Sequence, residues 1–329
     1  MKILILGAAG MLGRKLLDRL ALPHALGTPI DEVLLHDLVE PAPPAGLPFP
    51  TRSFSGDYAA PGVAERLLET RPEVIFHLAS IVSGDAEARF EEGYRVNLDG
   101  SRMLFEAIRS LPDYRPRLVY TSSLAVFGPP YPAEIDDDFL CAPASSYGVQ
   151  KAMVELLIAD YSRKSFLDGV VIRLPTICVR PGRPNAALSS FFSGIIREPL
   201  NGLEAILPVE DKVRHWLASP RAAIGYLLHA ATIDTASLGA RRSLNMPGVS
   251  VTVGEQIEAL RRFAGAGAAA LIRRQPDPVI SAIVGSWPQR FAPVRALGLG
   301  FAGDADFDAI LRTYVDEELN GRVDLQRTA

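Results

Sequence analysis

The stretch KILILGAAGMLGRKLLDRLA at residues 2–21 limits what this chain can fold into more than any other. Residues of strand character run into Gly7, Gly10 and Gly13, and from there into apolar positions at helical spacing. A strand that turns directly into a helix opens a βαβ unit. The tight turn aims peptide N–H groups and the helix N-terminus at one point, and glycines let an anion come close. A pyrophosphate suits such a turn, so Gly7, Gly10, Met11, Leu12 and Gly13 are expected to hold a dinucleotide. Glycine spacing alone would fit a plain tight turn; the flanking strand and helix favour the cradle.

The first half of the chain repeats this rhythm. EVLLHD, VIFHLAS, RLVYTSS and GVVIRLP read as near-continuous apolar strands, with helical runs such as YRVNLDGSRMLFEAIRS and AMVELLIADYS among them. Continuous apolar strands belong to a parallel sheet covered on both faces. The expected class is α/β: a Rossmann-type doubly wound parallel sheet with a smaller C-terminal α/β substrate domain. Residues 1–175 are expected to form the dinucleotide-binding domain, with a segment near 210–248 returning to it, while 176–209 and 249–329 bind substrate. Ser219 and Pro220 predict the start of a helix over RAAIGYLLHAA, and GEQIEALRRFAG predicts another.

Asp37 ends the second strand, at the spacing of a ribose-binding carboxylate. It can accept both adenosine hydroxyls, and it would repel a 2′-phosphate by about 4 kcal/mol per charge at contact distance. Leu38 and Val39 follow, with no adjacent arginine, so the expected cofactor is NAD rather than NADP. Asp57, in SGDY after the third strand, is a candidate for the adenine amine.

In SSYGVQKAM, Tyr147 and Lys151 stand four apart at the start of a helical run, on one face. The pair could be plain surface. With a cofactor beside it, it is a phenol and the ammonium that acidifies it. An unperturbed tyrosine is phenolate in about one molecule per thousand at pH 7, and a shift of about three units corresponds to about 4 kcal/mol. An ammonium and an oxidised nicotinamide together would favour that shift, making Tyr147 a general base. Ser123, at the end of LVYTSS, is the expected partner for the substrate oxygen, although a serine at a strand end also forms turns.

GAAGMLG, Asp37, HLAS at 77–80, VNLDG around Asn97, YTSS, and Tyr147 with Lys151 together resemble an extended short-chain dehydrogenase/reductase of the NAD-dependent epimerase/dehydratase family. The resemblance implies that Ser123 positions the substrate oxygen and Tyr147 moves the proton. It also implies that Lys151 binds the nicotinamide ribose and tunes Tyr147, that Asn97 supports a water relay, and that His77, Leu78, Ala79 and Ser80, with Pro175, line the cofactor. SSYGVQK departs from the usual Pro-Tyr and Ser-Lys dipeptides, and HLAS replaces HLAA.

Beyond Pro175, RLPTICVRPGRPN, SSFFSGIIREPL, RHWLASPRAA and DPVISAIVGSWPQRF are similar to one branch, the D-erythronate dehydrogenase group. That similarity implies oxidation of the 2-hydroxyl of a small sugar acid. Arg183 offers a guanidinium fork for its carboxylate, beside Asn185 as the expected N-cap of the helix carrying Phe191 and Phe192. Ser83, Thr176, Ser123 and Tyr147 complete the expected substrate contacts, and His215 and Trp216 are candidates that packing would equally explain.

Two other classes remain open: an NDP-sugar epimerase or dehydratase that keeps its NAD bound, and a non-catalytic NAD-sensing protein. A dehydratase would want an acid beside YTSS, where Leu124 and Ala125 stand. The net charge of −4 leaves no basic footprint for nucleic acid. Cys141 and Cys178 are the only cysteines, too few for a disulfide framework, so a reducing, cytoplasmic setting is expected. The five histidines lack ligand spacing, so no metal is expected. MKILILGAAGMLG has the order of a secretion signal, but its apolar run is short and its glycines have a better use. No apolar stretch approaches the roughly 20 residues of a membrane span. Relatives pair through helices near Glu92 and Tyr147, implying a homodimer.

Overall fold

The computed structural model describes residues 1–182 and 188–323. By its internal contacts the chain divides into two compact units. The first comprises Met1–Val126, Cys141–Leu174 and Ile224–Asn245; the second comprises Phe127–Leu140, Pro175–Ala223 and Met246–Ala329. The segment that returns to the first unit is therefore shorter than 210–248. The reason is local: Arg214–Ala218 pairs in a sheet of the second unit, and only Ser243–Asn245 joins the first sheet.

In the first unit, strands β1 (Lys2–Leu6), β2 (Glu32–Asp37), β3 (Thr51–Ser55), β4 (Val74–His77), β5 (Arg117–Ser123) and β6 (Asp168–Leu174) lie in the order β6-β5-β4-β1-β2-β3. Ser243–Asn245 adds a seventh strand beside β6, and every pairing is parallel. The interiors of β1, β2, β4, β5 and β6 are buried throughout, as a sheet covered on both faces requires. The chain leaves β1 toward β2 on one side and returns to β4 on the other. That reversal is the topological switch point, where a doubly wound sheet opens a crevice at its strand ends. Register aligns Leu6 with His36 and His77, and Ser123 with Leu174, so Gly7, Asp37, Leu78 and Ser123 all emerge at one edge.

The segment around Asn97 differs from a plain helix: the backbone is π-helical over Tyr94–Gly100 and continues as the α-helix Ser101–Ser110. In the second unit, Thr176–Ile177, Arg214–Ala218 and Val249–Thr252 form a mixed three-stranded sheet, and Ala205–Leu207 pairs with Ile272–Arg274. Its core gathers Phe192, Ile195, Ile196, Leu217, Leu260 and Ile310. The helix with Phe191 and Phe192 is Ser190–Leu200, with Ser189 in the N-cap position instead of Asn185, which lies outside the described residues. Ser219 does cap the helix Pro220–Thr232, its hydroxyl accepting from the Ala222 N–H at 3.0 Å. Among the described residues no helix is long and apolar enough to cross a membrane.

Candidate active site

The glycine turn is built by backbone. Gly7 sits at φ 88°, and a Cβ there would lie 2.8 Å from the Ala79 N and 2.9 Å from the Leu78 carbonyl carbon. At Gly13 a Cβ would lie 2.6 Å from the Ala8 Cα. Gly7 and Ala8 donate their N–H groups to the His36 carbonyl at 2.9 and 3.1 Å, which fastens the turn to β2. Gly10 is the N-cap of the helix Met11–Leu20 and provides no side chain to satisfy its first N–H groups. Those donors, with the positive end of the helix dipole, suit a pyrophosphate.

Asp37 closes the far side of the turn. One carboxylate oxygen accepts from the Ala9 N–H at 2.9 Å and the other from the Leu38 N–H at 2.7 Å. It therefore braces the turn as well as offering lone pairs to a ribose. These residues fit NAD: two glycines with no room for a side chain, an uncapped helix start, and a carboxylate at the end of β2. Asp57 accepts from the Ala59 N–H at 3.0 Å and pairs with Arg95, so an adenine amine must use the lone pairs those contacts leave.

Strand alternation separates the two serines of YTSS. Ser122 is buried and donates to Glu155, while Ser123 is half-buried, its hydroxyl accepting from the Ala125 N–H at 3.2 Å. Ser145 caps the helix Ser146–Arg163 by accepting from the Gly148 N–H at 3.2 Å. A Cβ at Gly148 would run into the Ala125 carbonyl group, so this glycine lets the helix close on the end of β5. Tyr147 thereby comes to lie on the side of the helix near Ser80 and Ser123. Burial pushes its phenol up to about 12, with hydrogen bonding to Ser80 and Ser123 pulling the other way.

Lys151 is buried, donates to the Thr121 carbonyl at 2.9 Å, and places its ammonium 5.6 Å from the Tyr147 ring centre and 4.6 Å from that of Tyr120. Burial pulls it down to about 7, opposed by Glu155 one turn along the helix. Glu155 is clamped by Arg173 at 2.6 Å, and Arg173 reaches Asn245 at 3.2 Å and the Cys141 sulfur at 3.1 Å. Sequence reasoning missed Gly148, Glu155 and Arg173. Gly148 stood in the quoted motif; an acid four residues after Lys151 was the only signal for the others.

Asn97 and His77 both have partners of their own in the fold. The Asn97 side chain accepts from Ser80 at 3.1 Å and the Ile81 N–H at 2.8 Å, and donates to the Ile81 carbonyl at 3.0 Å and Gln150 at 2.7 Å. These bonds tie its side chain to the end of HLASI. His77 does not line a cofactor: it is buried between Tyr58 and Tyr120 and bonds Ser101 at 3.0 Å. Leu78, Ala79 and Ser80 do emerge beside the turn and are half-buried, and Ser83 opens the short helix Ser83–Ala88.

In the second unit, Pro175 leads into the strand bearing Thr176, whose hydroxyl lies 2.7 Å from the buried His215 Nε2. His215 stacks on Phe192 at 4.9 Å and is pushed down to about 3 by burial. Trp216 donates to the Met246 carbonyl at 3.2 Å and packs against Gly248 and Phe291. Both rings are engaged in packing. Arg183 lies outside the described residues, as does Asn185. Among the described residues no group of three or more His, Cys, Asp or Glu could hold a metal.

The NAD dependent epimerase/dehydratase family matches residues 3–236. The chain is 47% identical over 323 residues to the D-erythronate dehydrogenase of Cupriavidus necator, covering 96% of this chain and 98% of that one. The D-erythronate dehydrogenase of Haemophilus influenzae is 39% identical over 319 residues, with coverage of 97% and 100%. A solved structure described as the nucleoside-diphosphate-sugar epimerase from Agrobacterium tumefaciens is 54% identical, with a TM-score of 0.96 over 98% of this chain and 96% of that one.

Proposed function

The chain belongs to the NAD dependent epimerase/dehydratase family and is an NAD-dependent oxidoreductase, and on that premise we propose that it oxidises the 2-hydroxyl of a small, D-erythronate-like sugar acid to the 2-oxo acid. The observation that carries the chemistry is Tyr147 near Ser123 and Ser80, with the buried Lys151 ammonium 5.6 Å from its ring centre. The substrate class comes from the near-full-length likeness to two D-erythronate dehydrogenases.

Bound NAD supplies the hydride acceptor and, when oxidised, a positive charge. Gly7, Gly10, Met11, Leu12 and Gly13 would hold its pyrophosphate, Asp37 its adenosine ribose, and Lys151 the nicotinamide ribose. The Ser123 Oγ hydrogen-bonds the substrate's hydroxyl oxygen, and the Tyr147 Oη takes its proton. Burial keeps the lone phenol protonated at neutral pH. The base is therefore formed only where positive charge gathers beside it, which ties proton removal to the loaded site. The enzyme is taken as a homodimer, a pairing that the exposed Leu156 and Met153 on the helix Ser146–Arg163 support.

A panel of four- to six-carbon aldonates, assayed for NADH formation, tests the reading. Net NADH with D-erythronate or a close analogue is expected. The epimerase description of the Agrobacterium structure favours a second reading, interconversion of a nucleotide sugar without net NADH. Leu124 and Ala125, where a dehydratase would place an acid, count against a dehydratase, and net NADH formation separates the dehydrogenase from an epimerase. Turnover of nucleotide sugars with no NADH from any aldonate would reverse the choice.

A further inference from the structure

One carboxylate serves two buried cations in the first unit. Glu155 and Lys151 lie one turn apart on the helix Ser146–Arg163, both buried, so they share a face. From β6, Arg173 turns its fork on Glu155, with Nε at 3.0 and 3.1 Å from the two carboxylate oxygens and Nη2 at 2.6 Å from one of them. From β5, Ser122 donates its hydroxyl to the same carboxylate. The Lys151 ammonium donates to the carbonyl of the preceding residue, Thr121, at 2.9 Å. The helix is thus fastened to residues 121 and 122, immediately before Ser123, and Glu155 provides one of the two ties.

Burial pulls the Lys151 ammonium down to about 7, so its protonation at neutral pH hangs on what stands nearby. The titratable groups of the neighbouring strands bring it no negative charge. On β4, His77 is pushed down to about 3 by burial and is neutral at pH 7. On β5, burial holds Tyr120 protonated, its ring centre 4.6 Å from the ammonium, and it does the same for Tyr58, whose ring meets His77. On the helix itself Tyr147 is pushed up to about 12, and beyond Glu155 stand the Arg173 guanidinium and the Cys141 thiol, which burial also raises. Glu155 is the charge that opposes the burial of Lys151. We propose that Glu155 is a positioning residue for the reaction: through Lys151 it keeps the ammonium that makes Tyr147 a base, and through Ser122 it holds the helix to the strand end that bears Ser123. This rests on the oxidoreductase reading above and adds to it a residue that acts through its neighbours. Without Glu155, Lys151 gives up its proton at lower pH, less positive charge stands beside Tyr147, and the phenolate forms only at higher pH.

The test follows the NAD-loaded enzyme across pH by two readouts: kcat for D-erythronate oxidation, and the near-ultraviolet absorbance of tyrosinate, from which the Tyr147→Phe signal is subtracted. Glu155→Gln should move the acid limb of kcat and the Tyr147 transition upward together by about one pH unit, roughly a tenfold loss of turnover at neutral pH that recovers in alkali. Glu155→Asp, which keeps the charge, should restore most of the wild-type transition. If Glu155→Gln does not fold, the double variant Glu155→Gln with Arg173→Gln, which removes both charges of the pair, should show the same upward movement. A transition that stays at its wild-type pH while turnover falls equally at every pH overturns the proposal and leaves Glu155 as part of the core. If no aldonate yields NADH with the wild type, the dehydrogenase reading falls, and the tyrosinate transition still decides the role of Glu155.

Discussion

The two ends of the first unit's site are made from different materials. At the glycine turn the functional groups are peptide N–H donors, and side chains matter mainly by their absence at Gly7 and Gly13. At the helix Ser146–Arg163 the functional groups are side chains, Tyr147 and Lys151, held over a buried layer of Ser122, Glu155 and Arg173. A backbone site is set by where the chain can bend, so one Cβ damages it. A side-chain site is set by which charges are buried together, so a removed proton or counter-ion damages it. The first should fail in binding and the second in turnover or stability.

The largest expected effect is on turnover. Tyr147→Phe keeps the ring and removes the proton acceptor, so kcat should fall at least about a hundredfold. NAD affinity, measured by titration, should change little; a fall in both would erase the distinction between the two ends. Next comes the buried layer. Glu155→Gln takes away the carboxylate clamped by Arg173, and urea unfolding should show a loss of about 3 kcal/mol, since breaking a buried pair from one side leaves the other charge behind. Unchanged stability would mean that water already reaches Arg173.

At the other end, Gly13→Ala places a methyl group against the Ala8 backbone and should cost about 1–3 kcal/mol of stability. NAD affinity should fall with it while Tyr147 chemistry in the residual loaded enzyme persists. Asp37→Ala removes the brace on the Ala9 N–H together with the ribose acceptor, so the preference for NAD over NADP should narrow by about 1.5 kcal/mol, roughly tenfold. A wild type that already prefers NADP would refute the role of Asp37.

The smallest effect at neutral pH concerns two of the buried histidines, His77 in the first unit and His215 in the second. Burial pushes both His77 and His215 down to about 3, against an ordinary value of 6.5. Between those values the unfolded chain binds protons that the folded chain refuses, so stability rises with pH across this window and is lost as pH falls from 6.5 toward 3. His77→Asn should flatten that part of the melting-temperature profile without altering the plateau's slope above pH 7. A profile that keeps its full acid loss would place the cause elsewhere.

What the sequence determined by itself were the features with local signatures. The strand, glycine turn and helix at residues 2–21, the acid ending β2, the apolar strands and the Tyr147–Lys151 spacing are set by periodicity and backbone freedom, which neighbours in the chain decide. The doubly wound sheet followed from the same alternation. Only the tertiary structure decided which polar groups meet across long separations. Asn97 is tied to Gln150 and Ile81, His77 is enclosed by Tyr58 and Tyr120, and Glu155 meets Arg173. It also returned Ser243–Asn245 to the edge of the first sheet. Burial and charge pairing depend on what the fold brings alongside, and residues dozens of positions apart carry no spacing that announces it.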